Sequence, residues 1–264
     1  MTPGSPIPAI PPRGSPLDFA RGLRLPFAAF RLIFRSPRLF GLSLLASVVT
    51  LISLIGAVAA WWRFTTPLLE RAVHRPASGP GEWLWGLLWL VTFSLLTLIS
   101  MNTVPVLLLA PLQDPLSEAT EALCGDHQPK PFSLGRMLSE SITSIGHTLA
   151  RIAILLAGHA ALFLLHLVPV AGSVLWTVLG TAWTMAWLAT EYLDAPMARH
   201  LYAFRQVRGV VFRRLSLSLG FGAAVYVLLW VPILNLFFIP VAVVSGTLLF
   251  RALRQSGDLP APTR

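Results

Sequence analysis

Leu39 to Trp62 runs for 24 residues without a charged side chain, and Trp83 to Leu112 for about thirty. Each run exceeds the roughly 20 apolar residues that carry an α-helix through a ~30 Å hydrocarbon layer. In hydrocarbon no water is present to bond backbone N–H and C=O groups, so such a run must satisfy them internally, as an α-helix does. The two runs predict a pair of long antiparallel transmembrane helices. Trp61, Trp62, Trp83, Trp85 and Trp89 cluster around the loop between them, where an interfacial aromatic belt is expected. Pro105 is expected to kink the second helix or end it early. Only 12% of the chain is charged, about half the share of a soluble domain, so the apolar excess has to face lipid.

Two further apolar regions are each broken by a proline turn. Ile152 to Thr190 is interrupted at Val168-Pro169-Val170-Ala171-Gly172, and Leu215 to Phe250 at Val231-Pro232-Ile233-Leu234-Asn235. Each reads as a helical hairpin, either partly penetrating the bilayer or fully spanning it. A faint likeness between Leu167-Val168-Pro169 and Trp230-Val231-Pro232 suggests an internal repeat. Paired interrupted segments are one pointer to a transporter's substrate site. The predicted fold class is thus an all-α integral membrane protein with two long transmembrane helices and two Pro-broken hairpins. An amphipathic N-terminal helix precedes them.

That helix carries Arg21, Arg24, Arg31, Arg35 and Arg38 on one arc and Phe19, Leu23, Phe30, Ile33 and Phe34 on the other side. Such a helix suits the surface of an anionic leaflet, and Pro26 is expected to interrupt it, leaving 26–36 as its firmer part. Net charge is +9, but the basic residues flank apolar runs instead of interleaving with exposed aromatics, which argues against nucleic acid as a partner. With the N-terminus cytoplasmic, 17 basic residues fall inside and three outside, as the positive-inside rule requires. Both termini are then cytoplasmic. Residues 1–17, rich in Pro, Gly and Ser, read as a disordered tail, 18–254 as one membrane domain, and 255–264 as a flexible tail. The single Cys124 has no intramolecular disulfide partner.

No HExxH, CxxC or Walker pattern is present, and the apolar runs hold no Asp or Glu, which argues against intramembrane aspartyl proteolysis and against a carboxylate proton relay. The chain reads as a non-enzyme with no cofactor and no metal. Gly220-Phe221-Gly222 lacks the third glycine of a dinucleotide fingerprint and suits close helix packing. His159 and His166 share a helix face and are expected to hydrogen-bond a neighbouring helix. Asn102 and Asn235 sit where Pro105 and Pro232 free backbone groups. Asp114, Glu118 and Glu121 are spaced by four and three and so share a helix face. Arg199, Arg205 and Arg208 are candidate partners for that face, in a salt-bridge network fixing the hairpins to the long helices.

Three stretches carry a resemblance to the CysZ-type sulfate permeases and the wider etoposide-induced-protein family. Ala110-Pro111-Leu112-Gln113-Asp114-Pro115-Leu116-Ser117-Glu118 through Glu121 is similar to that family's Ala-Pro-Phe…Leu…Glu…Glu signature. Glu191-Tyr192-Leu193-Asp194-Ala195-Pro196-Met197, followed by His200, resembles its Tyr-x-Asp-Tyr-Pro segment. Val231-Pro232-Ile233-Leu234-Asn235-Leu236 with Pro240-Val241-Ala242-Val243 is similar to its Ile-Pro-Leu-Leu-Asn-Leu…Pro-Val-Ala-Val segment. The resemblance implies a bacterial inner-membrane protein with partly penetrating hairpins, assembly into homo-oligomers, and sulfate uptake feeding cysteine synthesis. It marks Pro111, Asp114, Glu118, Glu121, Tyr192, Asp194, Pro196, Pro232, Asn235 and Pro240 as family-motif positions. The family's Pro-Gly-apolar-Arg segment, linked to sulfate binding, corresponds here to Pro37-Arg38-Leu39-Phe40-Gly41, without the glycine and its following arginine. Arg35 and Arg38 are the anion-binding candidates in its place. The alternative is a non-transporting membrane scaffold or partner-binding protein of the same family.

Overall fold

The computed structural model describes residues 11, 15, 17–76, 79–125, 153–169, 171–229 and 232–262. Every regular element among them is helical: α1 Asp18–Arg35, α2 Pro37–Ala72, α3 Pro80–Leu123, α4 Ala153–Leu167 (its last turn 3-10), α5 Ala171–Arg199, α6 Phe204–Arg213, α7 Leu215–Leu229 and α8 Pro232–Gln255. The chain forms two compact units, one of Leu45–Ala110 and one of Met1–Leu44 with Pro111–Arg264. Most of the N-terminal tail lies outside the described residues, as do Lys130, Arg136 and Arg151.

The Leu45–Ala110 unit is the antiparallel pair made by the middle of α2 and the first part of α3. Trp61 Nε1 donates to Ser100 Oγ at 2.7 Å and Trp89 Nε1 to Thr66 Oγ1 at 3.0 Å. The Trp89 and Phe93 rings stack at 5.1 Å, with Trp62 edge-on to both. Arg75 lies over the Trp85 ring at 4.9 Å, in the α2–α3 loop. The expected belt therefore divides: Trp83 faces outward, Trp61, Trp62 and Trp89 make contacts between the two helices, and Trp85 is buried beneath Arg75. The most apolar 18-residue windows of α2 and α3 are only 22% and 6% buried. Most of their apolar side chains are left uncovered by the chain, which is stable only where the surrounding solvent is hydrocarbon. With 36 residues α2 is about 54 Å long, so it extends well beyond the ~30 Å core.

Pro105 does not end the second helix, which is helical through positions 105, 111 and 115 to Leu123. A proline inside a membrane helix is tolerated where neighbouring groups re-satisfy the carbonyl it frees. Pro26 likewise sits inside α1, which is one helix from Asp18 to Arg35, longer than expected. The reason is tertiary. The face formed by Gly22, Leu25, Pro26, Ala29 and Ile33 is buried against α7 and α8, and this packing holds both halves of the helix.

The second unit is a core of α1, α5, α6, α7 and α8. Small residues set its spacing: a Cβ on Gly22 would strike the Leu217 carbonyl, one on Gly220 the Phe19 carbonyl, and one on Gly222 the Met185 carbonyl. The Gly220–Gly222 segment is thus a packing element, as expected. Both pairs of helices form, α4 and α5 on either side of a turn at Val168 and Pro169, and α7 followed by α8. In the first, His159 Nε2 lies 3.2 Å from Thr184 Oγ1 of α5, the cross-helix bond expected of it. His166 instead meets the Trp176 ring at 5.1 Å. The 15-residue α7 of the second hairpin reaches only about 22 Å, below the ~30 Å of the hydrocarbon core.

Sequence reading did not anticipate α6. It meets α7 at a 101° bend, and its Val207, Val210 and Val211 are buried. At the bend Arg214 is 3% exposed and donates to Asp18 Oδ2 at 3.1 Å, and also to Asp258. Asp18 also accepts from Arg21 at 2.6 Å. The C-terminal segment, expected to be flexible, is held there: Arg213 donates to the Asp258 carbonyl and Gln206 to the Ala261 carbonyl, while Leu259 packs on the core.

Candidate functional site

The Asp114–Glu121 stretch, the end of α5 and the middle of α8 meet at one ion-pair cluster built around the buried Glu121. The end of α3 brings Asp114, Ser117 and Glu121 onto one face by their three- and four-residue spacing. The end of α5 brings Arg199 and His200, and α8 brings Thr247 and Phe250. Arg199 donates to Glu121 Oε1 at 2.8 Å, to Asp114 Oδ1 at 3.2 Å and to Ser117 Oγ. Ser117 Oγ lies 2.6 Å from Thr247 Oγ1, and Thr247 donates to the Val243 carbonyl at 3.0 Å. The Thr247 proton is used on Val243, so Ser117 is the donor of the shorter bond. The polar chain then has one direction: Arg199 to Ser117 to Thr247 to backbone. His200 Nε2 lies 3.2 Å from Glu121 Oε2, and its ring stacks on Phe250 at 4.9 Å. Arg251 donates to the Cys124 carbonyl at 3.1 Å, closing α3 against α8. Burial pushes the Cys124 thiol above its ordinary range, and nearby Arg251 opposes that only in part.

Of the family-motif positions, Asp114 and Glu121 are paired as expected, through Arg199. Glu118 is half-buried and has no ionic partner among the described residues. Tyr192 and Asp194 are buried. Pro196 lies inside α5, where it removes the N–H that would bond the Tyr192 carbonyl. Gly246 of α8 packs directly on that carbonyl, and any side chain there would collide. Pro232 opens α8 and Pro240 is buried inside it. The side chains of Pro111, Asn102, Pro105 and Asn235 lie outside the described residues.

Arg205 and Arg208 do not join the cluster. The chain leaves α5 through Leu201, at a left-handed φ of 64°, and restarts as α6. There Arg208 stacks over Phe204 at 5.3 Å and Arg205 is exposed. Ser117 could have been found from its place between Asp114 and Glu121. Thr247, 130 residues away, carries no such signal, and neither does the Asp18–Arg214 pair.

The cluster uses Arg199 fully on two carboxylates, so it has no positive charge to offer an anion. The free positive charge is elsewhere. Among the described residues, Arg24, Arg31, Arg35 and Arg38 are exposed and have no ionic partner. Arg35 and Arg38 flank Ser36, whose backbone N–H caps α1 and whose Oγ accepts from Leu39 N at 3.4 Å at the start of α2. They stand where the uncharged run of α2 begins.

These features define the class: an all-α integral membrane protein, with lipid-facing long helices and hairpins anchored by a buried ion-pair cluster. The chain belongs to the family described as Sulfate transporter CysZ/Etoposide-induced protein 2.4, which it matches over residues 25–240. It is 29% identical over 266 residues to the "Sulfate transporter CysZ" of Pectobacterium atrosepticum, covering 95% of this chain and 92% of that protein. It is 30% identical over 156 residues to the protein of the same name from Pseudomonas fluorescens, covering 58% of this chain and 61% of that protein. The Pseudomonas syringae pv. tomato protein of that name is 29% identical over 181 residues, 66% of this chain and 70% of its own length.

Proposed function

We propose that this protein carries sulfate across the bacterial inner membrane, supplying sulfur for assimilation. The observation that supports it most directly is the placement of Arg35 and Arg38, exposed and without carboxylate partners among the described residues at the junction of α1 and α2, in a chain whose relatives are named sulfate transporters. A dianion leaving water loses hydration, and guanidinium groups offset that loss with charge-assisted hydrogen bonds. No bond is made or broken in such transport, so no catalytic group is required.

The basic residues support cytoplasmic N- and C-termini, 17 against three. The hairpins are read as partly penetrating, which the α7 limb of about 22 Å supports for the second of them. Residues 18–254 act as one membrane domain. Assembly into homo-oligomers is part of the same proposal; the sparsely buried outer faces of α2 and α3, where not covered by lipid, leave room for another copy. The test is uptake of labelled sulfate into liposomes carrying the purified protein. Flux above empty liposomes is expected, lowered several-fold in Arg35→Ala/Arg38→Ala. Folded protein without flux would leave the scaffold alternative standing.

A further inference from the structure

Helix α1 has three faces, and only one is accounted for by the fold. At about 100° per residue, Gly22, Leu25, Ala29 and Ile33 form the face buried on α7 and α8. Phe27, Phe30 and Phe34 form a second, all exposed, with Phe27 at 67%. Arg24, Arg31 and Arg35 form a third, exposed and without ionic partners among the described residues. The phenylalanine face continues past the α1–α2 elbow: Phe30 meets Phe34 at 4.7 Å, and Phe34 meets Phe40 at 5.5 Å. Together with Phe237 and Val241 of α8 these rings line an apolar groove. A single residue, Ser36, separates α1 from the transmembrane α2, so the C-terminal end of α1 is tied to headgroup depth.

We propose that this surface is a binding site for an anionic phospholipid, with the headgroup phosphate on Arg24 and Arg31 and an acyl chain against the phenylalanine groove. Three observations select this occupant. Exposed aromatic rings beside the start of a bilayer-spanning helix meet acyl chains, not water. Arginines two turns apart on one helix face, without carboxylate partners among the described residues, complement a negative headgroup, and each at an anionic leaflet strengthens binding about five-fold. A soluble anion would use the arginines and leave the groove empty. Because the opposite face of α1 is locked onto α7 and α8, lipid occupancy also stiffens the second hairpin. The inference does not depend on what the protein transports.

The test is thermal unfolding of the full-length protein in a neutral detergent, titrated with phosphatidylglycerol, with phosphatidylcholine of the same chains, and with inorganic phosphate. Phosphatidylglycerol is expected to raise the unfolding temperature saturably, and the other two not. In Arg24→Gln/Arg31→Gln the half-saturating phosphatidylglycerol concentration should rise about 25-fold, and in Arg24→Lys/Arg31→Lys it should stay within a few-fold of the parent. Equal effects of the two lipids would overturn the site. So would an equal effect of inorganic phosphate, which would make it a soluble-anion site. An unchanged titration in the glutamine variant, shown folded by its own transition, would also overturn it. None of these readouts involves sulfate flux, so failure here and failure of the transport reading are separate results.

Discussion

Replacing Arg199 by Met tests whether the ion-pair cluster holds the hairpins to the long helices. The side chain keeps most of its length and loses its charge, so the result reports the ion pairs more than the packing. Glu121 is only 2% exposed and is left with His200 as its ionic partner among the described residues. Removing one member of a fully buried pair costs ~3–5 kcal/mol, because the remaining charge is stranded. Arg199 is itself 20% exposed, and Asp114 is 49% exposed, so that second pair contributes at most ~1 kcal/mol. The loss of Ser117's donor adds a part of ~1 kcal/mol. A net cost of about 2–4 kcal/mol follows once the partial exposure of Arg199 is discounted. At roughly 2–4 °C per kcal/mol for a chain of this size, the unfolding temperature in detergent should fall by about 4–16 °C. Adding Glu121→Gln removes the stranded charge, so the double variant should be less damaged than the sum of the two singles by about 1–3 kcal/mol. A shift within 1 °C for Arg199→Met, or strict additivity in the double variant, would show that water screens the cluster and that packing alone holds α3 to α5 and α8.

Three further outcomes are expected. Gly220→Val drives a branched side chain into the Phe19 carbonyl of α1, so the purified protein should unfold at least several °C lower, whereas Gly209→Ala, where nothing lies nearby, should be near neutral. Cys124 is the only thiol, and burial raises its pKa above the ordinary 9.0. Alkylation by iodoacetamide at pH 8 should therefore be much slower in the folded protein than after denaturation in dodecyl sulfate, and equal rates would contradict the burial. Leu201→Gly relieves the cost of a side chain at φ 64°, about 1–2 kcal/mol, against ~0.5–1 kcal/mol of added chain entropy. The variant should be unchanged or up to about 1.5 kcal/mol more stable by thermal unfolding, and a clear loss would mean that Leu201 contributes contacts outweighing its strain.

The elements that were legible in the sequence are those set by contact with lipid and by local chain geometry. The long runs from Leu39 and Trp83, the two hairpin breaks, and the shared face of Asp114 and Glu121 needed only the length of a helix and its period. Arg199 was a named candidate for that face, and the structure pairs it there. Arg205 and Arg208, its fellow candidates, failed because Leu201 and the start of α6 turn the chain away. Pro26 misled for a related reason. Proline weakens a helix locally, yet the packing of α1 on α7 and α8 keeps α1 continuous.

What the sequence by itself determined is the solvent: 24 and about thirty residues without charge admit only helices in hydrocarbon, since no other single segment satisfies its own backbone there. The tertiary structure alone decided which charges are spent and which are free. Asp18 meets Arg214 across 196 residues, and Ser117 meets Thr247 across 130; no spacing rule reaches that far. Hydrogen bonds need contact and salt screens exposed charges over about 10 Å, so an arginine is neutralised or left available by the folded path of the chain, and that path separates Arg199 from Arg35 and Arg38.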